Sequence, residues 1–163
     1  MIIKTWVINM LRKLITIVVI PLILIGCSAL TGQEIARLEI NKVSTGGNNI
    51  FDDEAVLELK KGDEIMFWSD MDIAYDGNVE LRFNVKIFKD GVKLKQMEID
   101  PTKKNITIGE KKTELMGKTN WSFSGKNSEL KIDEEGSYTI KAILIATENT
   151  SLKVSKAELV IKK

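Results

Sequence analysis

Hydrophobic and polar positions follow two different patterns along the 163 residues of the chain. In the first part, a short basic stretch is followed by an uncharged apolar run of twelve residues, Leu14–Ile25. After residue 33, apolar and polar residues alternate with period two in one segment after another. An unbroken apolar run of this length indicates a short helix, whereas alternation indicates strands with one buried face. The pattern therefore predicts an N-terminal helix followed by an all-β domain.

The clearest predicted strand covers residues 79–89, where the odd positions are apolar and the even positions are polar from Val79 to Ile87. It ends at Asp90-Gly91, a pair that favours a two-residue type I′ hairpin turn because both residues tolerate positive φ. The return strand is Val92–Ile99. Its apolar positions change parity, which predicts a β-bulge near Lys95–Gln96.

Further strands are predicted by the same alternation, and two of them are apolar on both faces, as central strands are. The central ones are Glu64–Ser69 and Ser137–Thr147; the others begin at Ala36 and cover Val56–Lys60, Thr119–Ser124, Glu129–Asp133 and Leu152–Lys162, the last with a bulge near Ser155–Lys156. Only Lys111–Lys118 suggests a turn of helix. Seven to nine short strands predict an antiparallel β-sandwich over residues 34–163.

The residues that lead into Ser137–Thr147 sharpen this fold class. Glu134, Gly136 and Tyr138 occupy alternate positions and resemble the tyrosine corner of immunoglobulin-like domains. The resemblance implies an immunoglobulin-like sandwich in which the Tyr138 hydroxyl bonds to backbone upstream. Ile140 stands where antibody domains place a cysteine, so packing would replace the disulfide.

The N-terminal pattern is typical of a secretory signal. Lys4, Arg12 and Lys13 precede the apolar run, which as a helix would cover only about 18 Å of a hydrocarbon layer about 30 Å thick. The run ends in Leu24-Ile25-Gly26-Cys27, which resembles the lipobox of bacterial lipoproteins. That family implies a diacylglyceryl group on the Cys27 thiol, cleavage between Gly26 and Cys27, and acylation of the new amino terminus. The alternative is an uncleaved anchor.

This resemblance divides the chain into a signal peptide (1–26), a lipidated tether (27–33) and the β-sandwich (34–163). Translation could start at Met1 or at Met10 without altering the mature protein. Ser28 follows the cysteine, and the lack of aspartate there resembles the outer-membrane class of lipoproteins. The expected location is therefore the bacterial cell envelope, with the protein held in the outer membrane by lipid.

Composition narrows the function. The chain has 24 Lys+Arg and 23 Asp+Glu, no histidine and a single cysteine. This balance gives no reason to expect nucleic acid as a partner. The lack of histidine removes the commonest general base and the commonest metal ligand, and no motif for catalysis or for a cofactor is found. We therefore expect a non-enzymatic protein without a cofactor.

Two weaker ligand sites are considered. Residues 70–80 are rich in oxygen ligands, and placing Gly77 at the sixth position of a calcium loop brings Asp72, Asp76 and Asn78 to ligand positions. Ala74 and Phe83 then stand where oxygen is needed, so the EF-hand pattern fails. No metal site is predicted, and calcium binding in the Asp70–Asp76 segment is left open.

The aromatic residues Trp68, Trp121 and Phe123 offer a platform for sugar rings, although alternation with serine favours a buried face for the last two. The expected function is thus a binding or structural module that contacts a protein partner at the membrane surface. The expected contacts are the long loops 41–55, 69–78 and 100–118. Glycan binding and membership of a secretion or other envelope assembly are the alternatives.

Overall fold

The alternating segments form antiparallel strands in the computed structural model, which describes residues 31–163. The described residues contain nine strands: β1 (Glu34–Glu39), β2 (Asp52–Leu59), β3 (Glu64–Asp76), β4 (Leu81–Lys89), β5 (Val92–Ile99), β6 (Ile106–Leu115), β7 (Lys118–Lys131), β8 (Gly136–Ala146) and β9 (Lys153–Lys162). The all-β prediction is confirmed for this part of the chain.

Two antiparallel sheets pack against one core. The five-stranded sheet has the order β1-β9-β3-β7-β6, and the four-stranded sheet has the order β2-β8-β4-β5. Their inward faces share a single cluster of buried side chains, with Phe67 and Leu159 from the first sheet and Phe83 and Leu144 from the second. Strands β3 and β8 lie in the interior of their sheets, as their two apolar faces predicted.

The local features of the sandwich also follow the sequence. Asp90 and Gly91 have φ angles of 49° and 81°, so the predicted turn with two positive φ angles joins β4 to β5. The register of β5 shifts at Leu94, one residue from the predicted bulge. In β9 the shift falls at Ser155, within the predicted segment.

Each strand runs between two ends of the sandwich. We call one the Glu34 end, because β1 begins there; the turns at 60–63, 90–91 and 132–135 lie at the same end. The opposite end contains the turns at 77–80 and 116–117 and the segment 147–152. The start of the domain and its most exposed large apolar side chain, Met116, therefore lie at opposite ends of the sandwich.

Two of the loop predictions and the helical turn are wrong. Strand β3 continues through residues 70–76, so 69–78 is mostly strand, and β6 occupies most of 100–118. Lys111–Lys118 contains the end of β6 and a tight turn instead of helix. In β3 the acids Asp70, Asp72 and Asp76 lie on the outer face, and β6 is exposed on both faces, so both segments carry the polar residues that are typical of loops.

The predicted signal helix and the lipobox lie outside the described residues. Residues Glu34–Lys163 form one compact unit. Within the part of the chain that is described, no helix is long and apolar enough to span a membrane.

Candidate binding surface on strand β6

A crossover of six residues, 100–105, carries the chain from β5 at the edge of one sheet to β6 at the edge of the other. Asn127 holds this crossover in place. Its Nδ2 donates to carbonyl oxygens at 2.9 to 3.3 Å, those of Asp100, Pro101 and Lys103. Its Oδ1 accepts a hydrogen bond of 2.6 Å from the Ser69 hydroxyl. Asn127 is the unpaired residue at a register shift between β3 and β7, and such a bulge changes the direction in which a side chain leaves the strand.

Lys104 fixes the crossover a second time, against the inward face of β7. Its side chain is only 6% exposed, and its Nζ lies 3.8 Å from the ring centroid of Phe123 and 4.8 Å from that of Trp121. The same Nζ lies 2.8 Å from Oε1 of Glu110, which also accepts a 2.7 Å hydrogen bond from Trp121 Nε1. Gly125 leaves the space for the lysine stem, since a Cβ there would stand 2.4 Å from Lys104 Cδ.

These contacts stabilise the ionised carboxylate. The hydrogen bond from Lys104, followed by that from Trp121, holds the pKa of Glu110 below its ordinary value of 4.5. Lys104 is satisfied by a carboxylate and two aromatic rings. The cluster therefore fastens the start of β6 to the core.

Beyond this cluster, strand β6 is exposed along its whole length. All ten of its residues are exposed, and within the described chain its only neighbour in the sheet is β7. The strand order places β6 at one edge of the larger sheet. Its outer edge therefore presents backbone N–H and C=O groups to solvent.

Large apolar side chains line this strand. Ile106, Ile108 and Leu115 lie on the outer face of the sheet, as their pairing with β7 requires, and all three are exposed. Met116 begins the turn to β7 and is 95% exposed, the highest value among the large hydrophobic side chains of the described residues. It has a φ of 51° and is followed by Gly117 at 80°, so the two residues form a tight turn with two positive φ angles. Four exposed apolar side chains along one free edge are typical of a binding surface.

The charged residues of β6 are ordered by face. Lys111 and Thr113 lie on the outer face with Leu115, whereas Lys112 and Glu114 lie on the inner face. Lys112 Nζ is 2.8 Å from Glu114 Oε1, and this hydrogen bond raises the pKa of the lysine. We refer to Ile106–Met116 as the β6 surface.

A concave feature lies at the end of the sandwich away from Glu34, the end that also contains the 116–117 turn. It is a cavity of about 720 Å³ between residues 43–46 and 145–152, and it includes part of the predicted contact loop 41–55. Asn149 in its wall donates through Nδ2 to the carbonyls of Asp76 and Asn78, both at 3.0 Å, and accepts from Ser151 through Oδ1. Asn149 thus joins its own segment to the turn at 76–78, and these polar groups are engaged within the chain.

The predicted lipidation and cleavage residues, Cys27 and Gly26, lie outside the described residues. The Tyr138 hydroxyl is at the Glu34 end and donates a 2.7 Å hydrogen bond to the carbonyl of Glu134. Burial raises the pKa of Tyr138. Gly136 has a φ of 154°, and a Cβ there would approach the Asp90 carboxylate to 3.1 Å.

The acidic segment considered for calcium forms part of strand β3. Asp70 and Asp72 lie on the outer face of the sheet, and Asp70 is 3.4 Å from both Arg37 and Lys156. Arg37 also forms an ion pair with Glu158. Residues 31–163 contain no group of three or more potential ligands placed to hold a metal ion. Asp70 is therefore engaged in ion pairs with residues that are distant in the sequence.

The aromatic residues considered for a sugar platform do not share a groove. Trp68 is fully buried and lies on the outer face of its sheet, where Lys162 Nζ stands 4.2 Å from the ring centroid. Trp121 and Phe123 lie on the inner face, with ring centroids 4.9 Å apart. Their placement among core residues and lysines leaves no open platform that combines Trp68 with Trp121.

The β6 surface was missed as a distinct site, because residues 106–115 fell inside a predicted loop. Two signals were available in the sequence: the alternation of Ile106 and Ile108, and the Met116-Gly117 pair before the next alternating segment. Gly109, with a φ of 64°, stands at a bulge that breaks the alternation between them and hides the strand.

Comparison with known proteins does not add to this description. No protein-family model matches the chain, and no curated protein sequence matches it either.

Proposed function

We propose that this protein is a bacterial envelope lipoprotein, acylated at Cys27, whose β-sandwich is a non-catalytic module that binds a protein partner at the membrane surface. The lipobox at residues 24–27 supports the anchor, and Ser28 favours the outer membrane. The bond from Tyr138 to Glu134 supports an immunoglobulin-like class for the sandwich. Domains of this class commonly serve as binding modules, although fold alone does not define function.

The observation that carries the binding role is the β6 surface. A free strand edge offers a row of backbone hydrogen-bonding groups, and the apolar side chains beside it gain stability when they are covered. Both features fit an extended segment of polypeptide better than a small molecule. A protein partner is therefore the ligand that this surface favours.

The direction of β6 fits an anchored domain. Met66 of β3 pairs with Lys162 of β9, which in turn pairs with Glu34 of β1, so Met66 lies level with the start of the domain. Strand β3 then runs ten residues from Met66 to Asp76, which lies beside the β6–β7 turn. Ten steps of strand span roughly 33 Å. A domain held to lipid through a tether of at most about 20–22 Å before Glu34 thus presents Met116 at the end farthest from its attachment.

Lipidation is tested first. The full gene is expressed in a bacterial host with radioactive palmitate, and the wild-type chain is compared with Cys27→Ser and with the matched neighbour Ser28→Ala. We expect label in the wild type and in Ser28→Ala, and none in Cys27→Ser. Equal labelling of all three chains would contradict the anchor.

The binding surface is tested separately in intact cells. A photo-crosslinking amino acid at Leu115, on the β6 surface, is compared with the same amino acid at Val56, which is equally exposed on the edge strand of the other sheet. We expect protein adducts from position 115 and few from position 56. Absence of any adduct at position 115 would remove the binding role from β6 while leaving the lipid anchor untouched.

A further inference from the structure

The end of β6 is its own antiparallel complement. From residue 111 to residue 115 the strand reads Lys-Lys-Thr-Glu-Leu. If a second copy of the strand runs antiparallel with Thr113 opposite Thr113, Lys112 of each copy lies opposite Glu114 of the other. On the other face, the same register places Leu115 opposite the aliphatic stem of Lys111.

The faces agree with this pairing. Lys112 and Glu114 share the inner face of the sheet, whereas Lys111, Thr113 and Leu115 share the outer face. A twofold axis perpendicular to the sheet relates the two copies, so the outer faces of both copies lie on the same side of the joined sheet. Opposite charges, paired threonines and an apolar contact are the cross-strand pairs that stabilise antiparallel sheets.

The neighbouring registers are disfavoured. If the pairing slides so that residue 112 lies on the twofold axis, Lys112 of one copy faces Lys112 of the other. If it slides so that residue 114 lies on the axis, Glu114 faces Glu114. Like charges that lie directly opposite destabilise a sheet. The Gly109 bulge stops regular pairing on the other side, so the complementary stretch has a defined length and a single favoured register.

We propose that the occupant of the β6 surface is a second copy of this chain, joined through antiparallel pairing of residues 111–115 into a continuous sheet of ten strands. Lysines and bulges on an edge strand usually prevent such pairing. Here Lys112 on the inner face lies opposite Glu114 of the other copy. These charges therefore favour one register of pairing and do not prevent it. The contact is isologous, and it also brings Met116 beside the bulge of the other copy. This inference rests on the proposed function only in taking β6 as a protein-binding edge.

The first test uses disulfide trapping in the full-length protein. Thr113→Cys places a cysteine opposite itself on the twofold axis, within the Cα separation that a disulfide requires. Lys111→Cys and Leu115→Cys are the matched controls, because each lies opposite the other position and not opposite itself. We expect covalent dimers for Thr113→Cys, few for either control alone, and dimers again when the two control chains are mixed.

Each variant is also made in the Cys27→Ser background, so that a free Cys27 thiol cannot account for a dimer. Dimers of Thr113→Cys that persist there support the inference even where lipidation fails. Equal trapping at all three positions, or none at position 113, would overturn it.

The second test reverses charges and measures association by analytical ultracentrifugation of the detergent-solubilised protein. Lys112→Glu and Glu114→Lys each turn two attractive pairs into two repulsive ones, and we expect each to weaken the dimer by roughly tenfold. The double variant Lys112→Glu/Glu114→Lys restores opposite charges and should recover wild-type association. Circular dichroism checks that each variant folds, which we expect because both residues are exposed. Unchanged association in the single variants, or no recovery in the double variant, would refute the register.

Discussion

Gly125→Ala is the substitution that most directly tests how the crossover is fastened to the core. The new Cβ would stand 2.4, 2.6 and 3.0 Å from Cδ, Cγ and Cβ of Lys104. Two of these separations are shorter than van der Waals contact permits, so the lysine must leave its place. It would then lose its contacts with the two aromatic rings and with Glu110. Overpacking usually costs about 1–3 kcal/mol, and we expect a loss of about 2 kcal/mol in the free energy of unfolding.

The assay is urea unfolding followed by circular dichroism, with a double-mutant cycle. Lys104→Ala removes most of the atoms that the new methyl group meets, so adding Gly125→Ala to it should cost at least 1 kcal/mol less than adding Gly125→Ala to the wild type. Ser124→Ala, at the adjacent position on the outer face, is the control and should change stability by less than about 0.5 kcal/mol. Strict additivity of the two substitutions would refute the proposed role of Gly125 in making room for the lysine.

Three further predictions concern single interactions. Tyr138→Phe should lower the free energy of unfolding by about 1 kcal/mol, the value of one hydrogen bond, and an unchanged melting curve would show that the bond contributes nothing. Arg37→Met leaves the carboxylate of Glu158, which is 12% exposed, without its arginine, so it should cost roughly 1–3 kcal/mol in urea unfolding; a gain in stability would contradict this. The folded state holds the pKa of Glu110 below 4.5, so its stabilisation is present above that pH and is lost as the pH falls through the lowered pKa. Glu110→Gln should therefore flatten the acid limb of the stability curve, and an identical limb in both proteins would exclude this contribution.

The features that the sequence predicted correctly depend on neighbouring residues. The β4–β5 hairpin follows from alternation on both sides of Asp90-Gly91, and the interior position of β3 follows from apolar residues on both of its faces. Such signals are local, so they survive without knowledge of the partner strand. The bulge at Ser155 was found for the same reason, since a parity change within one strand is visible in the sequence.

The features that were missed depend on residues far apart in the chain. The ion pair of Asp70 with Arg37 could not be foreseen, because Arg37 lies 33 positions earlier, on another strand. Lys104 gave no sign of burial, because the space it fills is created by a glycine 21 residues later. Strand β6 is exposed on both faces and interrupted by a bulge. It therefore lacks the regular alternation of apolar and polar residues that a strand with one buried face shows in the sequence.

The polarity of the strands limits how a paired molecule can sit at a bilayer. From the level of Thr113, strand β7 runs nine residues, Asn120 to Glu129, down to the level of Glu34. A twofold axis through Thr113 therefore separates the two copies of Glu34 by roughly 60 Å along the strand direction. If the amino termini are acylated as proposed, both can enter one leaflet only when the strand direction lies flat along the lipid. If the strands stand upright, the pair would instead span the gap between two facing bilayers.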